Sequence, residues 1–229
     1  IEDYMATNDE YIIEAARQAA DAIQEERERE AKAQRRKQPK NCKPARGSTT
    51  DSQARIMSMA DGGYRPAYNL QFVTEPGHGY VVGLEATNRA SDKGQLMPAL
   101  DQVEKRYKIR PRRALADGGY SAKDDIEQAH AKNIEVFMPL PSGKDETEQA
   151  VPKPGEKAGV IAWRARMSQE ENRKIYQQRF ACERPHADVR NRGLRGFLVR
   201  GLEKVKAVGL WHVTAHNFLQ MQRMEHKLA

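Results

Sequence analysis

Cysteines, aromatic residues and long apolar runs are all scarce in this chain of 229 residues. The two cysteines, Cys42 and Cys182, lie in unrelated contexts with no Cys-x-x-Cys pair, which argues against a disulfide framework or a cysteine zinc site. No apolar run approaches the roughly 18 residues of a membrane span, and no basic-then-apolar signal pattern opens the chain. These absences predict a protein of a reducing cytosol without a membrane partner.

Charge, by contrast, is abundant and unbalanced. Charged residues make up 31% of the chain, and the formal net charge is +7. A basic surface attracts polyanions, and nucleic acid is the usual partner. The alternative is that the excess charge serves solubility alone.

The pattern of residues divides the chain into three segments. Residues 1–38 predict a charged helical arm, in which Ile12, Ala16, Ala19 and Ile23 form a narrow apolar stripe. Residues 39–66 are rich in proline, glycine and lysine and predict a basic linker. Residues 67–229 change character and predict an α/β core.

Within this core, alternation and helical spacing predict a definite order of elements. Two strands at 68–72 and 80–86 precede a helix at 93–107, a short strand at 113–117, a helix at 121–132 and a strand at 134–138. Residues 140–167 predict a loop, and Ser168 opens a capping box for a helix that ends near Glu183, before Pro185. This order is typical of a sheet with helices packed on it.

Asp117 is the first candidate for chemistry. It ends a buried strand and precedes Gly118 and Gly119, and catalytic groups in α/β sheets tend to lie at the carboxyl ends of strands. The alternative is a plain Asp-Gly turn.

Glu183 is the second candidate. Tyr176, Arg179 and Glu183 are spaced i, i+3 and i+7, which places them on one face of the predicted helix. The alternative is a solvated face with an Arg–Glu ion pair. Carboxylates on two elements suit Mg²⁺, which prefers oxygen ligands, but two-metal phosphoryl transfer usually needs a third carboxylate.

A basic stretch follows Glu183 and suits bidentate contacts with phosphate. Such contacts set affinity and register without reading sequence, and a solvated helix face is again the alternative. Its main members are Arg184, Arg190, Arg192, Arg195 and Arg200, followed by Lys204 and Lys206.

Together these motifs resemble bacterial insertion-sequence transposases of the DDE type. Leu115–Tyr120 is similar to the strand that carries their second catalytic Asp. Tyr176-x2-Arg179-x3-Glu183-x6-Arg190 is similar to the signature on their catalytic-Glu helix, with Arg190 in place of its final lysine. The resemblance spans roughly residues 51–222 and also involves residues 62–69, 90–96, 193–201 and 215–218.

The resemblance implies an RNase H-like mixed sheet flanked by helices, with Mg²⁺ or Mn²⁺ as cofactor and DNA as partner. It implies nicking and strand transfer at insertion-sequence ends, work at the bacterial nucleoid, and a possible homo-oligomer. It gives Asp117 and Glu183 catalytic and metal-binding roles. The residues it implies at the DNA are Tyr176, Arg179, Arg190, Arg192, Arg195 and Arg200.

The family's first catalytic Asp has no clear counterpart. In similar transposases it lies on the first strand of the sheet, and we expect that strand to be missing from this sequence, so that the chain is a fragment. Asp51 and Asp61 are the only candidates to replace it from the linker. Two alternatives therefore stay open: a DNA-binding remnant without catalysis, and another metal-dependent nuclease of the same fold.

Overall fold

A long helix, α1 (Glu2–Ala33), opens the chain in a computed structural model that describes residues 2–33, 45–59, 61–141 and 151–228. Along it Ala16 and Ala19 are buried, Ile12 and Ile23 are half-buried, and most of the other described side chains are exposed. The predicted helix and its apolar stripe are confirmed. Residues 34–38 of the predicted arm lie outside the described residues.

Contacts divide the chain into two compact units. The first comprises Ile1–Asn69, Ala86–Ala90 and Phe197–Val208, and the second comprises Leu70–Glu85, Ser91–Gly196 and Gly209–Ala229. The boundaries at residues 38 and 66 stay a prediction.

A hairpin occupies part of the first unit. β1 (Arg55–Ser58) pairs antiparallel with β2 (Tyr64–Ala67). Gly62 and Gly63 close it with φ angles of 90° and 78°, which glycine adopts without steric cost. The sequence predicts a linker without strands here. The glycine pair that punctuates that linker is also the signal of a hairpin turn.

A second hairpin consists of β3 (Asn69–Thr74) and β4 (Val81–Thr87), close to the predicted strands. The Glu75 carboxylate shapes its turn by accepting the backbone N–H groups of Gly77 at 2.6 Å and His78 at 2.8 Å. The predicted helices and strands that follow are also confirmed, with bounds shifted by a few residues: α2 (Leu96–Tyr107), β5 (Arg113–Leu115), α3 (Lys123–Ala131) and β6 (Glu135–Phe137).

The main hydrophobic core lies in the second unit, where β5 pairs with β6 in parallel and helices cover them. Ile126, Ala129, Val136, Phe137 and Met138 are almost completely inaccessible to solvent.

α4 (Ala158–Met167) belongs to the same core, although the sequence predicts a loop over residues 140–167. Val160, Trp163 and Met167 recur at helical spacing and are buried. The indole N–H of Trp163 donates to the Met138 carbonyl at 3.0 Å. Glu127 accepts the backbone N–H groups of Gly159 and Val160 at the start of the helix. The glycines and prolines before residue 159 conceal this apolar spacing.

The predicted single helix from Ser168 to Glu183 is three elements instead. They are α5 (Glu170–Gln177), a 3₁₀ turn (Gln178–Cys182) and α6 (Glu183–Asn191). The predicted capping box is wrong, because the Ser168 hydroxyl donates to the Ala165 carbonyl at 2.8 Å and so serves the end of α4. Pro185 does not stop the helix, because it lies in the first turn of α6, where a missing N–H costs nothing.

α7 (Leu202–Leu228) completes the fold. The α/β class is confirmed, but the described strands form three two-stranded sheets, not the one mixed sheet that the sequence predicts. Among the described helices, none is sufficiently long and apolar to cross a membrane.

Candidate active site around Asp117

Asp117 lies two residues after the end of β5, although the sequence predicts that it ends the strand itself. Its backbone is extended, and its Oδ1 accepts the Gly119 N–H at 2.9 Å, so the carboxylate caps the short 3₁₀ turn Gly118–Tyr120. The side chain is exposed. The Asp-Gly turn and the strand-end placement, set out as alternatives from the sequence, therefore both describe this residue.

A second carboxylate, Asp92, lies beside it. A Cβ atom placed on Gly119 would be 3.0 Å from Asp117 Oδ1 and 3.1 Å from Asp92 Oδ2, so the two carboxylates flank the glycine within about 6 Å of each other. A side chain at position 119 would enter this space. The two carboxylates would then have to shift by a few tenths of an ångström.

Gln71 and Tyr120 hold this arrangement in place. Gln71 on β3 is only 4% exposed. Its Nε2 donates to Asp92 Oδ1 at 2.7 Å, and its Oε1 accepts the Tyr120 hydroxyl. Burial first, and then the charges of Asp92 and Asp117, raise the pKa of Tyr120. The phenol therefore stays a neutral donor, and Gln71 fixes the orientation of Asp92.

The turn that precedes Glu183 lies along the same cavity as Asp117. This cavity of about 630 Å³ is lined by Asp117 and Tyr120 on one side and by Arg179, Cys182 and His186 on another. Burial raises the pKa of the Cys182 thiol. The structure thus brings the two predicted catalytic elements, the end of β5 and the start of α6, to one cavity.

Glu183 itself points elsewhere. Its side chain is 57% exposed and is not part of the cavity lining, and its Oε1 accepts Arg179 Nη2 at 3.2 Å. The Arg179 guanidinium also lies 5.8 Å from the Tyr176 ring centroid and 6.0 Å from that of Phe180. Tyr176, Arg179 and Glu183 therefore share a face, as the spacing predicts, and this face contains the ion pair named as the alternative.

The arginines of the basic stretch differ in their exposure and in their contacts. Arg190, Arg195 and Arg200 are exposed, which leaves their guanidinium groups accessible to an anion. Arg192 is half-buried and lies 3.8 Å from the Asp188 carboxylate. Arg200 belongs to the first unit and the others belong to the second.

Asp51 and Asp61 both have structural partners within the first unit. Asp51 Oδ2 accepts the Tyr68 hydroxyl at 2.7 Å and the Gly201 N–H at 3.0 Å, and its Oδ1 accepts the Gln53 N–H at 3.2 Å. Asp61 pairs with Arg65, and their hydrogen bond lowers the pKa of the aspartate. A role for either as a third carboxylate stays a hypothesis.

The oxygen ligands at this site are of the kind that binds a divalent ion, but they are too few. Asp117 and Asp92 supply the oxygen ligands that Mg²⁺ prefers. Across the part of the chain that the structure describes, however, no three His, Cys, Asp or Glu side chains group closely enough to hold a metal. Two carboxylates do not suffice for a two-ion site, so the described residues alone do not complete one.

Comparison with protein families matches residues 37–218 to the transposase DDE domain. The chain belongs to this family. No curated protein and no solved structure matches it. Transposases of this family generally use divalent metals and act on DNA, which agrees with the acidic strand end and the basic surface.

Two residues of the candidate site are absent from the sequence-based prediction. Asp92 lies in the stretch 90–96 that resembles the family, but no pattern there gives it a role. Gln71 alternates with Leu70 and Phe72 and so is expected to face solvent, yet it is the buried residue. A hydrogen bond joins these two residues, which are 21 positions apart in the chain. No local sequence pattern contains a contact over that distance.

Proposed function

We propose that this chain is the catalytic core of a DNA transposase that nicks insertion-sequence ends and transfers the strand in a metal-dependent reaction. The observation that carries the proposal is the position of Asp117, which lies just after β5 at a cavity also lined by Arg179 and Cys182, next to Glu183 in the chain. Membership of the transposase DDE domain family supports the same reaction.

In this proposal Asp117 and Glu183 are the acidic residues of the reaction, with Mg²⁺ or Mn²⁺ as the ion. An ion held there would supply activation of the attacking oxygen and stabilisation of the leaving oxygen of a phosphodiester. The chain's own contribution begins with Gln71, which orients Asp92 beside Asp117. For Glu183 to reach an ion, its hydrogen bond with Arg179 has to open.

DNA contact is assigned to the residues of α5, α6 and the stretch that follows. Arg190, Arg195 and Arg200 are exposed and suit the phosphate backbone. Tyr176, Arg179 and Arg192 complete the proposed set. A DNA substrate would place the protein at the bacterial nucleoid, where a homo-oligomer could hold two DNA ends.

A second candidate is a DNA-binding remnant without catalysis. One observation favours it: the described residues bring no three metal-ligating side chains together. The two candidates share DNA binding and differ only in cleavage.

A nicking assay on DNA that contains the terminal sequences of the parent insertion sequence, with Mn²⁺ present, separates them. A transposase cleaves this DNA, and Asp117→Asn and Glu183→Gln each abolish cleavage. The matched control is Asp124→Asn, because Asp124 on α3 has an 88% exposed side chain away from the cavity. Binding without cleavage by the unmodified protein would establish the remnant, and nicking without joined products would indicate a nuclease instead.

DNA affinity gives an independent check. If phosphate contacts dominate, affinity falls steeply as salt rises, and each of Arg190→Ala and Arg195→Ala lowers the salt slope by about 1. A slope that neither change alters would remove these arginines from the interface.

A further inference from the structure

The last helix, α7, has two faces of different character. One face is buried, and its side chains recur at helical spacing: Val205, Gly209, Val213, His216 and Gln220. The Nε2 atom of Gln220 donates to the His78 carbonyl at 2.6 Å, and Asn217 Nδ2 donates to the Val81 carbonyl at 2.8 Å. These bonds hold this face of α7 against the turn of the β3–β4 hairpin, so the opposite face points outward.

The outward face carries two large aromatic side chains. Trp211 is 77% exposed and Phe218 is 57% exposed. They are seven positions apart in the sequence, which is almost two helical turns, so both rings lie on one line along the helix. Thr214 and Ala215 between them are small and also exposed. A contiguous exposed patch of apolar side chains that is rimmed by polar ones is typical of an interaction surface.

Charged residues extend this line at both of its ends. Four exposed residues recur at intervals of seven, here called the α7 seam: Lys204, Trp211, Phe218 and Glu225. Since α7 is one unbroken helix, the helix itself sets this spacing. A seven-residue repeat is the spacing that keeps side chains between two paired helices. The order along the seam is cation, aromatic, aromatic, anion.

This order complements itself when it is reversed. In a second α7 that runs in the opposite direction, Glu225 is level with Lys204 of the first copy, and Phe218 is level with Trp211. The small side chains Thr214 and Ala215 then meet at the centre, where they let the two helices approach closely. A parallel copy would instead place lysine beside lysine and glutamate beside glutamate, which is unfavourable.

The size of the seam agrees with such a pair. At the exposed fractions of Trp211 and Phe218, the four rings of two copies bury on the order of 600 Å². A specific interface buries about 1,200 Å² or more. The remainder has to come from flanking side chains along roughly 30 Å of helix. This area predicts an association that is weak and depends on protein concentration.

We propose that the α7 seam binds the α7 seam of a second copy of this chain in antiparallel orientation. The argument for this occupant is charge complementarity, because Lys204 and Glu225 at the two ends of one seam match the reversed ends of another. The interface is isologous, since both copies contribute the same residues. The inference is independent of the proposed reaction, because the pairing requires neither DNA nor a metal ion.

Sedimentation equilibrium of the full chain without DNA, over about a hundred-fold range of protein concentration, measures the association. The unmodified chain should pass from monomer to dimer, and Trp211→Ser should weaken the dimer at least about ten-fold, because it removes a central aromatic anchor. The matched control is Tyr64→Ser on β2, where the side chain is 76% exposed, and it should leave the dimer unchanged. A chain that stays monomeric, or a dimer that Trp211→Ser does not weaken, would overturn the proposal.

Charge reversal tests the orientation and the identity of the partner. Lys204→Glu and Glu225→Lys each place like charges at both ends of an antiparallel pair, and each should weaken the dimer at least about three-fold. A mixture of these two variants should associate as tightly as the unmodified chain, because opposite charges then meet at both ends. Single variants that associate as tightly as the unmodified chain, or a mixture that does not recover, would overturn the antiparallel pairing.

Discussion

β6 and β3, apart from Asn69, lie in the same unit, but the edges that face away from their partner strands have different surroundings. On the side away from β5, the Val136 carbonyl of β6 accepts Arg166 Nη1 at 3.1 Å, and the carbonyl of Met138 just beyond it accepts the Trp163 indole. Helix α4 thus covers that edge with side-chain donors. β3, in contrast, lies along the cavity beside Asp117.

Burial follows the same division. Phe137 on β6 is 1% exposed, whereas Phe72 on β3 is half-buried and stacks on His186 with ring centroids 4.5 Å apart. The only fully buried side chain on β3 is the polar Gln71. An edge that is covered lets the neighbouring apolar side chains pack completely, and an edge on a cavity does not.

The largest expected effect tests this contrast with one substitution at two sites. Phe137→Ala should lower the free energy of unfolding by about 3–5 kcal/mol, because it leaves a cavity in a closed core. Phe72→Ala should cost only about 1 kcal/mol, because its ring is already half-exposed. Urea unfolding measures both, and Phe137→Leu provides a milder variant if the alanine variant does not fold. Equal losses in the free energy of unfolding at the two positions would contradict this comparison.

The second-largest expected effect concerns an ion pair of α4, the helix that covers the free edge of β6. Glu156 and Arg164 are 4% and 5% exposed and bond at 3.0 Å, and Lys123 adds a bond of 2.9 Å. Glu156→Gln should cost roughly 3 kcal/mol, because it leaves Arg164 charged in a buried position. As a control, Glu25→Gln on α1 breaks an exposed pair with Arg29 and should cost under about 0.5 kcal/mol.

The same pair predicts a pH dependence. Burial raises the pKa of Glu156. The hydrogen bonds from Lys123, the Lys153 backbone and Arg164 outweigh this effect and lower the pKa to about 2, from an ordinary value of 4.5. A lowered pKa contributes stability that is complete above about 4.5 and is lost as the pH falls toward 2. Unfolding curves across this range should show a smaller loss for Glu156→Gln, and an unchanged loss would exclude this carboxylate as its source.

The smallest effect concerns Asp92, which lies beside Asp117 and Tyr120. Asp92→Asn removes one of the charges that, after burial, raise the pKa of Tyr120, so the phenol should titrate at lower pH while stability falls by about 1 kcal/mol or less. Ultraviolet titration of the tyrosines follows the phenol, with Asp124→Asn as the control. A Tyr120 titration that does not move would mean that Asp92 and the phenol are uncoupled.

The predictability of these two regions from sequence also differs. The strands β3 to β6, α2 and α3 follow from alternation and helical spacing, and Asp117 follows from its place after a buried strand, whereas β1 and β2 are missed within the predicted linker. α4 is missed because its glycine- and proline-rich approach hides the spacing of Val160, Trp163 and Met167. The break between α5 and α6 is missed because Pro185 is compatible with the first turn of a helix.

The sequence by itself determined the α/β class, the basic surface and the family motif around Asp117 and Glu183, because periodicity, composition and short motifs are properties of neighbouring residues. Only the tertiary structure decided that Gln71 is buried, that Asp92 lies beside Asp117, and that β3 and β5 line one cavity. These features depend on which distant segments pack together, and packing between residues 20 to 50 positions apart leaves no local pattern to read.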